Sequence, residues 1–157
     1  IARQEVAVWA RLLCLTAAAE DSTGWIGRII HRGKEQAAVR TLRPPADPAE
    51  ARLRLAELVE LFVIGSRQPL PFVPSIARGY AANHGRGRPE QVLERAILDS
   101  GRYADAFNGR LDFFWGDRVQ ERLTRPIGPR PLAPSDPSFF GSVARRIWEP
   151  ILAAQRS

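Results

Sequence analysis

The sequence predicts a mixed α+β fold in which a three-stranded antiparallel meander is followed by helices. Runs rich in β-branched and aromatic residues come first and are separated by turn residues. Two Asp-Pro pairs, Asp47-Pro48 and Asp136-Pro137, then open helical patterns. The 157 residues suit one domain spanning the chain, because a chain of that length buries roughly 68–70% of its unfolded surface.

Glu5 to Leu15 is apolar, with Val6, Val8 and Trp9, and reads as the first strand before the Asp21-Ser22-Thr23-Gly24 turn. A helix is the second reading of this segment, since Val6, Trp9 and Leu13 also recur at helical spacing. The second strand, Trp25 to Arg32, places Trp25, Gly27, Ile29 and His31 on one face and Ile26, Arg28, Ile30 and Arg32 on the other. Gly33-Lys34-Glu35 turns the chain, and Gln36 to Leu42 forms a third strand that Pro44-Pro45 stops.

Asp47 can cap a helix whose first position suits Pro48. That helix is expected to reach Ile64 and end at Gly65, with Leu55, Leu58, Val59 and Phe62 inward. The prolines at 69, 71 and 74 exclude regular helix, so this segment is an extended connector laid down by Leu70 and Phe72. A short helix follows Ser75, then the glycine-rich basic loop His84-Gly85-Arg86-Gly87-Arg88. Pro89 to Ser100 is amphipathic, with Val92, Leu93, Ala96 and Ile97 inward and Gly101 as its stop. Asn108-Gly109 has the pattern of a hairpin turn, Arg118 to Leu123 of one helical turn, and Pro126 to Pro134 of a linker. From Asp136 a last helix carries the stripe Phe140, Val143, Ala144, Ile147 and Ile151, with Pro150 expected to kink or end it.

Composition excludes several classes. The one cysteine, Cys14, cannot form an internal disulfide and reads as a buried, inert thiol; with only His31 and His84 beside it, no structural zinc site can be assembled. His31 reads as a hydrogen-bonded packing residue, and Trp9, Trp25, Trp115 and Trp148 as core anchors. No apolar run is long enough to cross a bilayer. A chain that starts at Ile1 and contains no methionine is expected to be a cytoplasmic piece of a longer polypeptide. The net charge of +6 rests on arginine, which supplies every cation but Lys34, and it is spread along the chain. That pattern fits contact with phosphate backbones or acidic partners, not a concentrated basic arm.

Chemical motifs are few. The only lysine is followed by Glu35, so no Walker phosphate loop is present, and no nucleophile elbow, His-Glu-x-x-His or dinucleotide fingerprint occurs. His84 to Arg88 lacks the spacing and the strand-to-helix context of a phosphate cradle. Asp105, Asp112, Asp117 and Glu121 are the acids that could gather a magnesium ion, as metal-dependent nucleases require, although Arg110 and Arg118 offer surface ion pairs to the same carboxylates.

Leu12 to Ala18, Trp25 to Gly33, Glu57 to Leu61, and Gly65-Ser66-Arg67-Gln68-Pro69-Leu70-Pro71-Phe72-Val73-Pro74-Ser75 with Tyr80-Ala81 together resemble the C-terminal part of the exodeoxyribonuclease V gamma-subunit family. The resemblance covers roughly residues 6 to 82, with Phe139-Phe140 and Trp148 to Leu152 beyond it. It implies a fold similar to the restriction-endonuclease-like nuclease core, in a subunit that is not itself catalytic. It also implies DNA, a helicase-nuclease subunit and a second helicase subunit as partners. Nucleases of that fold carry an acid on one core strand and Asp/Glu-x-Lys on the next. Neither Trp25 to Arg32 nor Gln36 to Leu42 contains a carboxylate, and Glu50-Ala51-Arg52 has the spacing but sits at a helix start.

The expected function is therefore a non-catalytic, nuclease-like scaffold without metal or cofactor. Arg28, Arg32, Lys34, Arg86 and Arg88 are its candidate contacts to the DNA backbone, and Phe139, Val143 and Trp148 a candidate partner surface. The competing readings are an active metal-dependent nuclease using Asp105, Asp112 or Asp117, and a stand-alone DNA-binding module.

Overall fold

The computed structural model describes residues 2–19, 24–33, 36–68, 70–101, 119–125 and 136–155. The chain falls into two compact units, Ile1–Gln68 with Pro150–Ser157, and Pro69–Glu149.

The first unit opens with helix α1, Ala2–Ala18. The expected first strand is thus a helix. Its buried residues Glu5, Trp9, Leu12, Leu13 and Thr16 recur every three or four positions, which is a helical stripe and not a strand's alternation. Five alanines within it add strong helix propensity and outweigh Val6 and Val8. The meander is accordingly a two-stranded hairpin of β1, Gly27–Arg32, and β2, Ala37–Leu42. Its antiparallel register pairs Arg28 with Thr41, Ile30 with Val39 and Arg32 with Ala37. The face alternation read from the sequence holds: Gly27 and Ile29 are buried, while Arg28, Ile30 and Arg32 face outward. Trp25 lies before the strand and is 42% exposed, so it is not the core anchor expected.

β1 packs on α1 through Gly27. A Cβ there would come within 2.7 Å of Val8 Cγ1 and 2.8 Å of Leu12 Cδ1, so glycine lets the strand backbone approach the helix.

Helix α2 spans Pro48–Arg67, and Asp47 caps it by accepting from Ala49 N–H at 2.8 Å. Its end lies beyond the expected stop at Gly65. An interior glycine costs only about 1 kcal/mol, whereas the proline at 69 drives Gln68 to an extended φ of −147° and ψ of 140°. The inward face also differs: Ala51 and Leu61 are buried, Leu55 and Leu58 half-buried, and Val59 and Phe62 exposed.

The second unit contains α3, Pro74–Asn83, α4, Pro89–Gly101, and α5, Val119–Thr124. It also holds most of α6, Phe139–Ala154. Leu70 and Phe72 are half-buried in the connector, and Val73, fully buried, is the residue that anchors it. Val92, Leu93 and Ala96 are buried on α4, Ile76, Ala77 and Tyr80 on α3, and the whole expected stripe of α6 is buried. Tyr80 and Phe140 meet edge-on with ring centroids 5.7 Å apart. Helix α6 starts later than the Asp-Pro signal suggests, because Ser138 is the cap: its Oγ accepts from Gly141 N–H at 2.9 Å. The helix continues through Pro150, where the sequence had suggested a kink or an end. The Asn108-Gly109 hairpin and the Pro126 to Pro134 linker lie outside the described residues.

Candidate nucleic-acid interface

In the first unit, β-strand alternation brings Arg28 and Arg32 to one outward face. They lie four positions apart along the strand, about 13 Å. Between them Ile30 is 75% exposed, and its cross-strand partner Val39 is 58% exposed. The hairpin therefore presents two cations flanking a small apolar step. The inward face is held by Glu5 of α1, fully buried, which accepts hydrogen bonds from Arg40 of β2 and from Gln155 Nε2, the latter at 2.9 Å. Among the expected cations, Lys34 lies outside the described residues.

Arg86 and Arg88 belong to the second unit, both exposed in the loop between α3 and α4. Gly85 at φ +83° turns this loop, and Arg86 donates to Asn83 Oδ1 at 3.4 Å. The structure thus gathers the cations in two pairs, one in each unit.

Val143 and Trp148 are fully buried and Phe139 is half-buried. The Arg78 guanidinium stacks 5.9 Å from the Trp148 ring centroid. Trp9 is buried as expected of an anchor, and Trp115 lies outside the described residues. Cys14 is exposed on α1, contrary to the buried thiol expected of a strand.

Of the candidate metal-binding acids, Glu121 is exposed on α5, and Asp105, Asp112 and Asp117 lie outside the described residues. Among the described residues no three of His, Cys, Asp or Glu come together to hold a metal ion. β1 and β2 carry no carboxylate on either face. Glu50, the acid with nuclease-like spacing, pairs at 3.6 Å with Arg54 on its own helix α2, while Arg52 ties α2 to α1 by donating to Ala17 O at 3.0 Å. No helix among the described residues is long and apolar enough to cross a membrane.

Two further features were not foreseen. A cleft of about 380 Å³ in the first unit is lined by Thr16, Gly24, Trp25, Ile26, Arg43, Pro44, Pro45 and Ala46. Its sequence signal was the Pro44-Pro45 pair, read only as a strand stop. The second is a buried polar cluster in the second unit. Asp136 accepts from Tyr80 Oη at 2.9 Å, Ser138 N–H at 3.1 Å and Ser138 Oγ at 3.2 Å, with His84 Nε2 at 3.6 Å. Burial first, then the hydrogen bond to Asp136 and its charge, hold the Tyr80 phenol well above its ordinary range.

The hairpin of β1 and β2 thus presents outward arginines and carries no carboxylate. The model of the RecC C-terminal domain family matches residues 2–85, just over half of the chain, and the chain belongs to that family. It is 29% identical over 155 residues to the RecBCD enzyme subunit RecC of Mycobacterium tuberculosis, in strains CDC 1551 and H37Rv, covering 95% of this chain. It is equally 29% identical over 152 residues to the RecC subunit of Mycolicibacterium smegmatis, covering 94% of this chain. The chain spans 14% of the length of these relatives. No solved structure matches it.

Proposed function

We propose that this chain is a non-catalytic, nuclease-like scaffold domain within an ATP-dependent exonuclease and helicase complex that acts in double-strand break repair and recombination. It is one domain in the C-terminal part of a longer cytoplasmic subunit. Its partners are DNA, the helicase-nuclease subunit and the second helicase subunit of that complex. Membership in the RecC C-terminal domain family supports this reading.

The observation that carries it is the chemistry of the hairpin. A nuclease core of the restriction-endonuclease type places oxygen ligands for a hard divalent cation on adjacent strands. β1 reads GRIIHR and β2 reads AAVRTL, which supply cations and apolar groups and no carboxylate. Such a sheet attracts a phosphate backbone without assembling the ion that would cleave it. Arg28 and Arg32, with Arg86 and Arg88, act as sequence-independent contacts that position DNA for the catalytic subunit.

Magnesium-dependent cleavage by the assembled complex tests the reading. Alanine at Asp105, Asp112 and Asp117 together should leave cleavage at the wild-type rate. Loss of cleavage on Asp112→Ala alone would replace the scaffold with an active metal-dependent nuclease.

A further inference from the structure

Gly33 N–H donates to Gln36 O at 2.9 Å, and this bond fixes the phase of the hairpin. In an antiparallel ladder, pairs that exchange backbone hydrogen bonds alternate with pairs that do not. Gly27 with Leu42, Ile29 with Arg40 and His31 with Ala38 therefore bond across the hairpin. The N–H and C=O groups of Arg28, Ile30 and Arg32 point the other way, along the outer edge of β1. Among the described residues no backbone group meets them, and the sheet stops at two strands; only Arg32 O has a neighbour, His31 Nδ1 at 3.2 Å. The edge of β2 differs, because Arg43 N–H, in the outward phase, donates to Ala154 O at 3.1 Å. A row of unpaired donors and acceptors is a template for another strand. The side chains beside it are Arg28, Ile30, which is exposed, and Arg32. Every described acid of the first unit is already engaged: Glu5 by Arg40, Asp47 by Ala49 N–H, Glu50 and Glu57 by Arg54, and Glu60 by a contact of its own.

We propose that the outer edge of β1 receives an antiparallel strand from a partner protein, of the pattern acid-x-apolar-x-acid, its apolar residue opposite Ile30 and its acids opposite Arg28 and Arg32. Main-chain hydrogen bonds to the edge supply affinity, and the alternate side chains supply selectivity. Directly opposed side chains of an antiparallel pair interact, favourably when their charges are opposite and unfavourably when they are alike. A second copy of this edge is therefore repelled, since antiparallel pairing centred on Ile30 sets Arg28 against Arg32 of the other copy. A DNA backbone fits the edge less well than a polypeptide: phosphodiesters accept hydrogen bonds and offer no donor to the carbonyls of Arg28 and Ile30. The inference goes beyond the DNA-positioning role above. Phosphate and strand compete only for the two guanidinium groups, so a seated acidic strand withholds Arg28 and Arg32 from DNA.

The test uses the full-length subunit and a fluorescent synthetic peptide, threonine throughout except for glutamates two places either side of a central valine. Fluorescence anisotropy should show binding, and hydrogen exchange in β1 should slow when the peptide is added. Methylating the backbone nitrogen of the central valine removes the donor to Ile30 O and should weaken binding about tenfold. Ile30→Pro removes the matching donor on the protein and should do the same, while the hairpin keeps its own bonds because that N–H points outward. Arg28→Gln with Arg32→Gln should cost roughly 2- to 30-fold, the range for two opposed charge pairs. Absence of peptide binding overturns the proposal. So does equal affinity for the methylated peptide, which would mean charge attraction without strand pairing. Slow exchange of the Arg28, Ile30 and Arg32 amides before any peptide is added also overturns it, since the subunit's own chain would then fill the edge. Duplex affinity of the assembled complex separates the two readings. If Arg28→Gln with Arg32→Gln lowers it and the peptide does not bind, the DNA contact stands and the strand site falls; if the peptide binds and duplex affinity is unchanged, the reverse holds.

Discussion

The Tyr80 hydroxyl donates a 2.9 Å hydrogen bond to Oδ2 of Asp136, joining residues 56 positions apart in sequence. Asp136 is 5% exposed, and a carboxylate so placed must be surrounded by donors. Tyr80, Ser138 N–H and Ser138 Oγ provide them, and Ser138 in turn caps α6. Tyr80→Phe keeps the ring that packs on Phe140 and removes one donor from a buried charge. It should destabilise the second unit by about 1–3 kcal/mol. Faster hydrogen exchange in α3 and in the part of α6 that precedes Pro150 is the readout.

The same bond sets an alkaline limit. In the unfolded chain Tyr80 releases its proton near the ordinary phenol value of about 10. In the folded chain burial and Asp136 hold that proton to higher pH. Above about pH 10 the unfolded state therefore binds fewer protons than the native state, and stability falls as pH rises. Below that pH the contribution is fully present. Chemical denaturation at pH 8 and pH 11 should show a steeper loss for the wild type than for Tyr80→Phe.

Gly141 stands in the first turn of α6, where a Cβ would overlap the Asp136 carboxylate. Gly141→Ala would raise helix propensity by about 1 kcal/mol on an exposed helix. Here it should destabilise instead, because the group it displaces holds Tyr80 and Ser138 in place. A lowered Tm for Gly141→Ala checks this, and a raised one refutes it.

Local signals were legible in the sequence where short-range chemistry decides the structure. Asp47 with Pro48, the alternation of β1 and the apolar stripe of α6 are all read within a few residues. Glu5 to Leu15 lies in a helix although its β-branched residues favour a strand locally. The choice was made by tertiary burial of Glu5, Trp9, Leu12, Leu13 and Thr16 on one stripe. With that segment helical, the sheet has two strands among the described residues. At the site, the outward arginines of β1 were legible from period two. The cleft was not, because Thr16, Trp25 and Pro44 meet only after α1 and the hairpin are packed together.

Glu5 on α1 and Arg40 on β2 form an ion pair in which Glu5 is fully buried and Arg40 keeps 30% of its side-chain surface. Arg40→Met would leave a buried charge short of its cation, at a cost of about 3–5 kcal/mol. Glu5→Leu together with Arg40→Met removes both charges and should recover much of that loss. A double-mutant cycle in urea measures the difference. Additive effects would show that the pair is not what holds β2 against α1.

Arg28 and Arg32 stand on a strand face that Gly27, by its contact with α1, fixes relative to the helix. Their guanidinium groups are sequence-independent contacts if they meet phosphates, so they should act through counterion release and not through base readout. Each phosphate contact contributes a slope of roughly 0.7 to 0.9 to the dependence of log affinity on log salt. Arg28→Gln with Arg32→Gln in the assembled complex should therefore flatten the slope by about 1.4 to 1.8. The loss of affinity should be uniform across DNA sequences. A wild-type slope would remove this face from the DNA path, and a sequence-dependent loss would show that these arginines read base edges.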